Sequence, residues 1–267
     1  MAYSKLKIAE DGAVTIITLS DPATMNAAST EMAQELQQAL REAAAPVGKA
    51  RAIVITGDGR GFCSGANLQP GGTGSRPAGG DGRPDAGDAL ETIYNPLVTC
   101  MKELSVPIVT AVNGAAAGVG CSLAMLGDII VAAEGAYFLQ AFRRIGLIPD
   151  GGSTYMLPRA IGKARAMEMA LLGERLAAPK ALEWGLINRV VPAQELMPTA
   201  LALAHELASG PASLGLTRQT IWAGLDSDWA EQLNRERIGQ REAGRTDDFR
   251  EGVSAFLQKR PAAFTGR

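Results

Sequence analysis

The sequence predicts an α/β fold: a spiral of stacked strand–turn–helix modules followed by a helical C-terminal part. Three observations carry that expectation. A short apolar strand runs into a Gly-rich turn and then a helix at RAIVITGDGRGFCSGANL, and the pattern recurs at PIVTAVNGAAAGVGCSLAM. Modules of this kind bury their faces against one another, so they stack. From about Ala160 the hydrophobic period turns helical, interrupted only by the short strand LINRVV.

The elements follow in order. LKIAEDGAVTIITLS holds two β-rich runs around Asp11-Gly12, which reads as a hairpin. Residues 30–45 set Met32, Leu36, Ala39, Leu40 and Ala43 on one helical face, with Ser29 or Thr30 as the cap. RAIVITG is almost fully apolar, as expected of a strand covered on both sides. Ten of the nineteen residues from Gln69 to Gly87 are Gly or Pro, which predicts a surface loop inserted within the core. The helix DALETIYNPLVTCMKELS comes next, with Pro96 marking a kink. The long apolar stretch from Pro107 to Phe138 is interrupted by Asn113, Asp128, Glu134 and five glycines. It therefore reads as strand, turn, helix and strand, and not as a membrane span. Helices are expected near 193–209, 213–224, 229–242 and 247–259, punctuated by Pro192, Gly210-Pro211 and Gly244. The division is a β/α core over 1–195 and a helical region over 196–267.

Composition narrows the function. With 26 basic and 28 acidic side chains in 267 residues, the net charge of -2 gives no general attraction for nucleic acid or an anionic membrane. Cys63, Cys100 and Cys121 are odd in number and lack C-x-x-C spacing, which suits a reducing cytoplasm. The opening MAYSKLKIAEDG lacks the basic-then-apolar pattern of a secretory leader. The lone histidine, His205, excludes multi-histidine metal sites. It sits in the Ala/Leu-rich run PTALALAHELASG without a nucleophile motif and reads as a partly exposed helix position.

The two Gly-rich turns are the candidate chemistry. In GFCSGANL, Gly65 lets a ligand approach the main chain; in NGAAAGVGCSLAM, Gly118 and Gly120 do so where a helix begins. The first N–H groups of a helix are unpaired and partly positive. Two such turns converging would form an oxyanion hole, although the same glycines also permit tight strand–helix packing. Cys63 beside the first turn has no base nearby in sequence and reads as a packing residue.

These two segments, with GLIPDGGSTYMLPRAIGKARAMEMALLGERLAAPKALEWGLINRVV and the ending EGVSAFLQKRPAAFTG, resemble the crotonase (enoyl-CoA hydratase/isomerase) superfamily. The resemblance spans nearly the whole chain, with the motifs in the family's order. It implies a spiral of β-β-α turns with a C-terminal helical part used in trimerisation, as a trimer or a dimer of trimers. It implies an acyl-CoA thioester as substrate, and no cofactor or metal, coenzyme A being part of the substrate. The backbone N–H groups of Ala66 and Val119 become the oxyanion donors. Val119 replaces the middle glycine of the family's usual run, which requires an ordinary φ there. Ala66, Asn67, Leu68 and Gly118 match the stretches lining the acyl-CoA site, and Asn67 stands where Asp is usual. Lys259 and Phe264, in KRPAAF, match residues that reach a neighbouring subunit's CoA site.

Departures from the family narrow the reaction. Its hydratases carry two glutamates, at the positions held here by Ser122 and Phe142. Hydration needs one group to activate water and another to manage the proton, and Phe142 can do neither. Asp150, in GLIPDGG, matches the acidic residue with which family isomerases shuttle a proton between carbons. Read from the residues alone, Asp before Gly-Gly-Ser-Thr equally suits a helix N-cap. YNPLV, AF-x-x-x-GLIPD and REGVSAFLQKR resemble the ring-epoxide isomerases of phenylacetate breakdown; there Tyr94 and Asn95 would touch the acyl group, or simply pack a helix. The expectation is an acyl-CoA isomerase with Asp150 as acid and base. The alternatives are a hydratase, another crotonase-type lyase or hydrolase, and a catalytically inactive CoA-binding or assembly protein.

Overall fold

The computed structural model describes residues 3–45, 50–68 and 85–267. Most of the Gly/Pro-rich stretch expected as a loop over 69–87 lies outside the described residues.

The hairpin forms as expected, with β1 (Leu6–Asp11) antiparallel to β2 (Val14–Leu19). In α1 (Thr30–Ala43), Ser29 is the cap: its Oγ accepts the Met32 N–H at 3.1 Å. Met32, Leu36, Ala39 and Leu40 are buried, whereas Ala43, in the last turn, is only half-buried.

Three strand pairs then build the spiral. β3 (Ala52–Gly57) runs into β4 (Gly61–Cys63), β5 (Ile108–Val112) into β6 (Ala115–Ala117), and β7 (Ile129–Ala133) into β8 (Tyr137–Leu139). Later come β9 (Arg175–Ala177) and β10 (Arg189–Val191). The first strand of each pair joins a sheet ordered β1-β2-β3-β5-β7-β10, and the second joins a sheet ordered β4-β6-β8-β9. Within each sheet the strands of successive pairs are parallel neighbours, so every turn of the chain adds one strand to both sheets. Every residue of β5, and all but the last of β3, is buried, because both faces of the large sheet are covered.

Helices join the pairs. A π-helical turn over Leu90–Tyr94 precedes α2 (Asn95–Glu103). Pro96 falls in the first turn of α2, and the wide turn ahead of it absorbs the missing N–H. α3 (Val119–Met125) links the second pair to the third. α4 (Ser153–Leu172) starts earlier than the expected Ala160 and breaks at Gly162, and α5 (Ala178–Trp184) follows β9. α6 (Leu196–Ser209), α7 (Ser213–Gly224), α8 (Trp229–Ala243) and α9 (Asp247–Gln258) stand where the Pro and Gly punctuation put them.

α6 lies across β2, β3, β5 and β7, burying Leu196, Ala200, Leu203, Ala204 and Ala208. α7 is fastened by the buried Arg218. Its Nε donates to Asp128 Oδ2 at 2.7 Å, and its other nitrogens donate to the carbonyls of Met101, Lys102 and Leu104, capping the end of α2. Asp128 also accepts the Ile108 N–H at 2.7 Å, which joins this ion pair to the head of β5. The buried Asp248 carboxylate accepts from the N–H groups of Ala212, Thr265 and Gly266, tying the chain beyond α9 back to the α6–α7 link.

His205 is exposed on α6, with Nε2 2.9 Å from Asp11 Oδ2. Among the described residues no helix is long and apolar enough to cross a membrane, and no three His, Cys, Asp or Glu residues cluster as metal ligands.

Candidate active site

Two main-chain turns meet between the sheets. Gly65, at φ +102°, closes the turn after β4, and a Cβ there would lie 2.9 Å from the Ala117 carbonyl oxygen. Gly118, at φ +54° and ψ -130°, makes the turn from β6 into α3, and a Cβ there would lie 3.7 Å from Gly65 Cα. Only glycine accepts both the positive φ and the approach at position 65. The residue after each glycine is the expected donor. Val119 is the first residue of α3, so its N–H has no acceptor within the helix. It is buried and its φ is not positive, which meets the requirement that a β-branched residue imposes.

The first turn is braced from behind. Ala66 forms an isolated parallel bridge with Ala28, whose N–H donates to the Gly65 carbonyl at 2.7 Å. Ser64 bonds to the carbonyls of Met25 and Thr24. The fully buried Asn26 donates through Nδ2 to the carbonyls of Asp58 and Gly61 at 2.9 and 2.8 Å. Tyr94 belongs to this brace: it is buried, and its hydroxyl donates to the Ala28 carbonyl at 2.6 Å. Neither Asn26 nor this bond was visible in sequence, because both depend on long-range partners. The second turn is held by the Gly118 N–H on the Leu139 carbonyl at 2.9 Å.

Asp150 stands beside α3. A Cβ on its neighbour Gly151 would lie 2.9 Å from Ser122 Cβ and 3.2 Å from Val119 Cγ2. The Asp150 carbonyl oxygen accepts from Ser122 Oγ at 2.9 Å, Ser153 Oγ at 2.8 Å and Ser153 N at 3.0 Å. Its carboxylate does something different. Oδ1 is buried with no hydrogen-bond partner, and burial pushes the carboxyl up to about 6. The helix-cap reading fails here: the residue preceding α4 is Gly152, and no side chain caps the helix. A half-buried carboxyl with one buried, unpartnered oxygen at the end of a turn is a candidate for proton transfer.

Phe142 is buried with Cζ 3.8 Å from a Cβ built on Gly118, so an aromatic edge walls the second turn. Asn67 is half-buried and Leu68 exposed, at the mouth of the first turn. The chain thus brings Ala66, Gly118, Val119 and Asp150 together. Lys259 and Phe264 lie apart, at the end of α9: Lys259 is exposed, and the Phe264 ring packs on Gly252. Cys63 is fully buried against Gly120, and burial pushes its thiol up to about 11, so it packs and does not attack.

Residues 9–267 match the family model described as enoyl-CoA hydratase/isomerase. The chain belongs to the enoyl-CoA hydratase/isomerase family. It is 45% identical over 259 residues to the 1,2-epoxyphenylacetyl-CoA isomerase of Escherichia coli, with 97% of each chain covered. It is 44% identical over 272 residues to a protein of Rhodobacter capsulatus named "Probable enoyl-CoA hydratase", covering all of both. Among solved structures, the enoyl-CoA hydratase of Bacillus anthracis superposes with a TM-score of 0.90 at 28% identity, covering 99% of this chain and 100% of that one. Neither Ser122 nor Phe142, the positions at which the sequence resemblance leads one to expect hydratase glutamates, carries a carboxyl.

The burial of Asp150 has a measurable cost. Its carboxyl is raised in the folded state from 3.8 to about 6, so the folded chain holds that proton more tightly than the unfolded one. The carboxyl is therefore easily accommodated below about pH 4, and its cost grows as pH rises through about 6. Asp150→Asn, which cannot ionise, should be more stable than the native chain at pH 8 by up to about 2–3 kcal/mol. The gain should disappear near pH 4. Urea unfolding at both pH values measures it, and a gain that is the same at the two would mean that burial does not penalise this carboxylate.

Proposed function

We propose that the chain is an acyl-CoA isomerase in which Asp150 is the single acid and base, and in which the Ala66 and Val119 N–H groups hold the thioester oxygen. The observation that carries this reading is the half-buried Asp150 carboxyl beside the start of α3, whose Oδ1 is buried without a hydrogen-bond partner. The ionised carboxylate removes a proton from the carbon next to the thioester carbonyl, and the electron pair delocalises onto the carbonyl oxygen. The carboxylic acid so formed returns the proton to a different carbon, which regenerates the carboxylate. One group suffices for this shift, whereas adding water calls for two. Preorganised N–H groups lower the barrier by stabilising the enolate oxygen more than the ground-state carbonyl.

The second reading is hydration, with Asp150 acting on water; the hydratase names among the relatives favour it. A 3-enoyl-CoA in heavy water, followed by mass spectrometry beside a crotonyl-CoA hydration assay, separates the two. The native chain should isomerise far faster than it hydrates, and Asp150→Asn should lose on the order of 10³–10⁴-fold of turnover and of deuterium exchange. Turnover within tenfold of native would refute Asp150 as the base, and faster hydration than isomerisation would support the second reading. A native chain that bound acyl-CoA and converted none of a substrate panel would be an inactive CoA-binding protein.

We also infer a homotrimer or a dimer of trimers in a reducing cytoplasm. Ile221, Leu225, Val253, Phe256 and Leu257 expose apolar surface on α7, just past its end and on α9, which association would cover. The three cysteines are free and buried. Lys259 and Phe264 would then serve a neighbouring subunit's CoA. Light scattering at micromolar concentration should give at least three times the monomer mass, and a monomer would contradict the inference.

A further inference from the structure

We infer that Ser122 is a positioning residue that sets the distance between the Asp150 base and the Val119 N–H, an inference that rests on the proposed function. Ser122 occupies a position where the family's hydratases carry a glutamate, yet it is fully buried and is turned to a different use. It lies one helical turn below Val119 on α3, so the two are fixed to one rigid segment. Its Oγ donates to the Asp150 carbonyl at 2.9 Å, and its Cβ lies close against Gly151. Among the described hydrogen bonds, this one joins the helix that begins with Val119 directly to the residue that carries the carboxyl.

Ser153 acts on the same carbonyl from the other side. Its Oγ and N–H both donate there, but both belong to α4, the element that Asp150 itself leads into. They shape the turn locally without relating it to α3. Because the turn is fastened through main-chain oxygen alone, Oδ1 of the carboxyl remains without a partner. A hydrogen bond from the Ser122 hydroxyl to the carboxylate would have held the base and also lowered its proton affinity. Bonding to the carbonyl fixes the base while leaving that affinity high.

Removing the hydroxyl should leave a folded chain, since Ser153 still satisfies the carbonyl. It should also let the carboxyl drift relative to the thioester. Misplacement of about 1 Å can cost about 100-fold in rate. For Ser122→Ala the expected result is a kcat lower by about 10- to 100-fold, with KM for a 3-enoyl-CoA little changed. A badly placed acid returns its proton inefficiently, so a larger share of product should carry deuterium when the reaction runs in heavy water. Ser122→Cys, nearly the same size with a weak S–H donor, should fall between native and Ser122→Ala on both readouts. Native kcat and native deuterium content in Ser122→Ala would overturn the proposal. So would a loss of rate that tracks a loss of folded protein by circular dichroism, or Ser122→Cys no better than Ser122→Ala. Asp150→Asn, run in parallel, keeps the two readings apart. If it stays active, the proposed function fails; if it is inactive while Ser122→Ala is native-like, only the role of Ser122 fails.

Discussion

The contact between Gly65 and Gly118 is the constraint on which the rest of the site depends. Each belongs to a different turn of the spiral, and each turn leaves the small sheet at the end of its strand, β4 or β6. Because β4 and β6 are parallel neighbours, the two exits fall side by side. Parallel pairing alone does not bring them into contact. That takes the loss of a side chain at position 65, where any Cβ would run into the Ala117 carbonyl. The fold therefore sets two main chains against each other, and the residues that follow, Ala66 and Val119, inherit their places from it. A site built from backbone tolerates side-chain change, and this explains how a valine can stand after Gly118.

Around that fixed centre, three side chains set what chemistry is available. Phe142 walls the second turn with an aromatic edge, and Ser122 uses its hydroxyl on a carbonyl. Neither can handle a proton in the way a carboxylate can. Asp150 carries a carboxyl, and burial of its Oδ1 without a hydrogen-bond partner raises its proton affinity. The cost of that burial is borne by the fold, in which Arg218 and Asp128 join α7, α2 and β5, and Asp248 collects the chain end. Asp150 Oδ1 is one of several buried side-chain atoms without a partner, Gln140 Oε1 and Asn113 Oδ1 among them; what sets it apart is that its group can ionise.

Much of this was legible in the sequence because it is local. Asp11-Gly12 between two β-rich runs gave the hairpin, and Gly210-Pro211 and Gly244 gave the ends of the C-terminal helices. The glycines at 65 and 118 could be read as special, but their contact could not, since it joins residues far apart in the chain. The same holds for the Tyr94 hydroxyl on Ala28, which a local reading leaves free to face a substrate, and for Arg218 on Asp128. The helix-cap reading of Asp150 failed for a different reason. The capping signal Asp-Gly-Gly-Ser is real, but it is the Asp150 carbonyl that accepts the Ser153 N–H, and Gly152 stands directly before α4, so the carboxyl makes no cap.

The central claim is that two backbone N–H groups, set by the Gly65–Gly118 contact, stabilise charge on a thioester oxygen. Calorimetry tests it most directly by comparing acetoacetyl-CoA, which presents an enolate, with an alkyl thioether of CoA of the same length and no carbonyl. Hydrogen bonds to a charged group contribute about 1.5–3 kcal/mol each. Acetoacetyl-CoA should therefore bind about 10²- to 10⁴-fold more tightly. Equal affinities for the two ligands would contradict the claim.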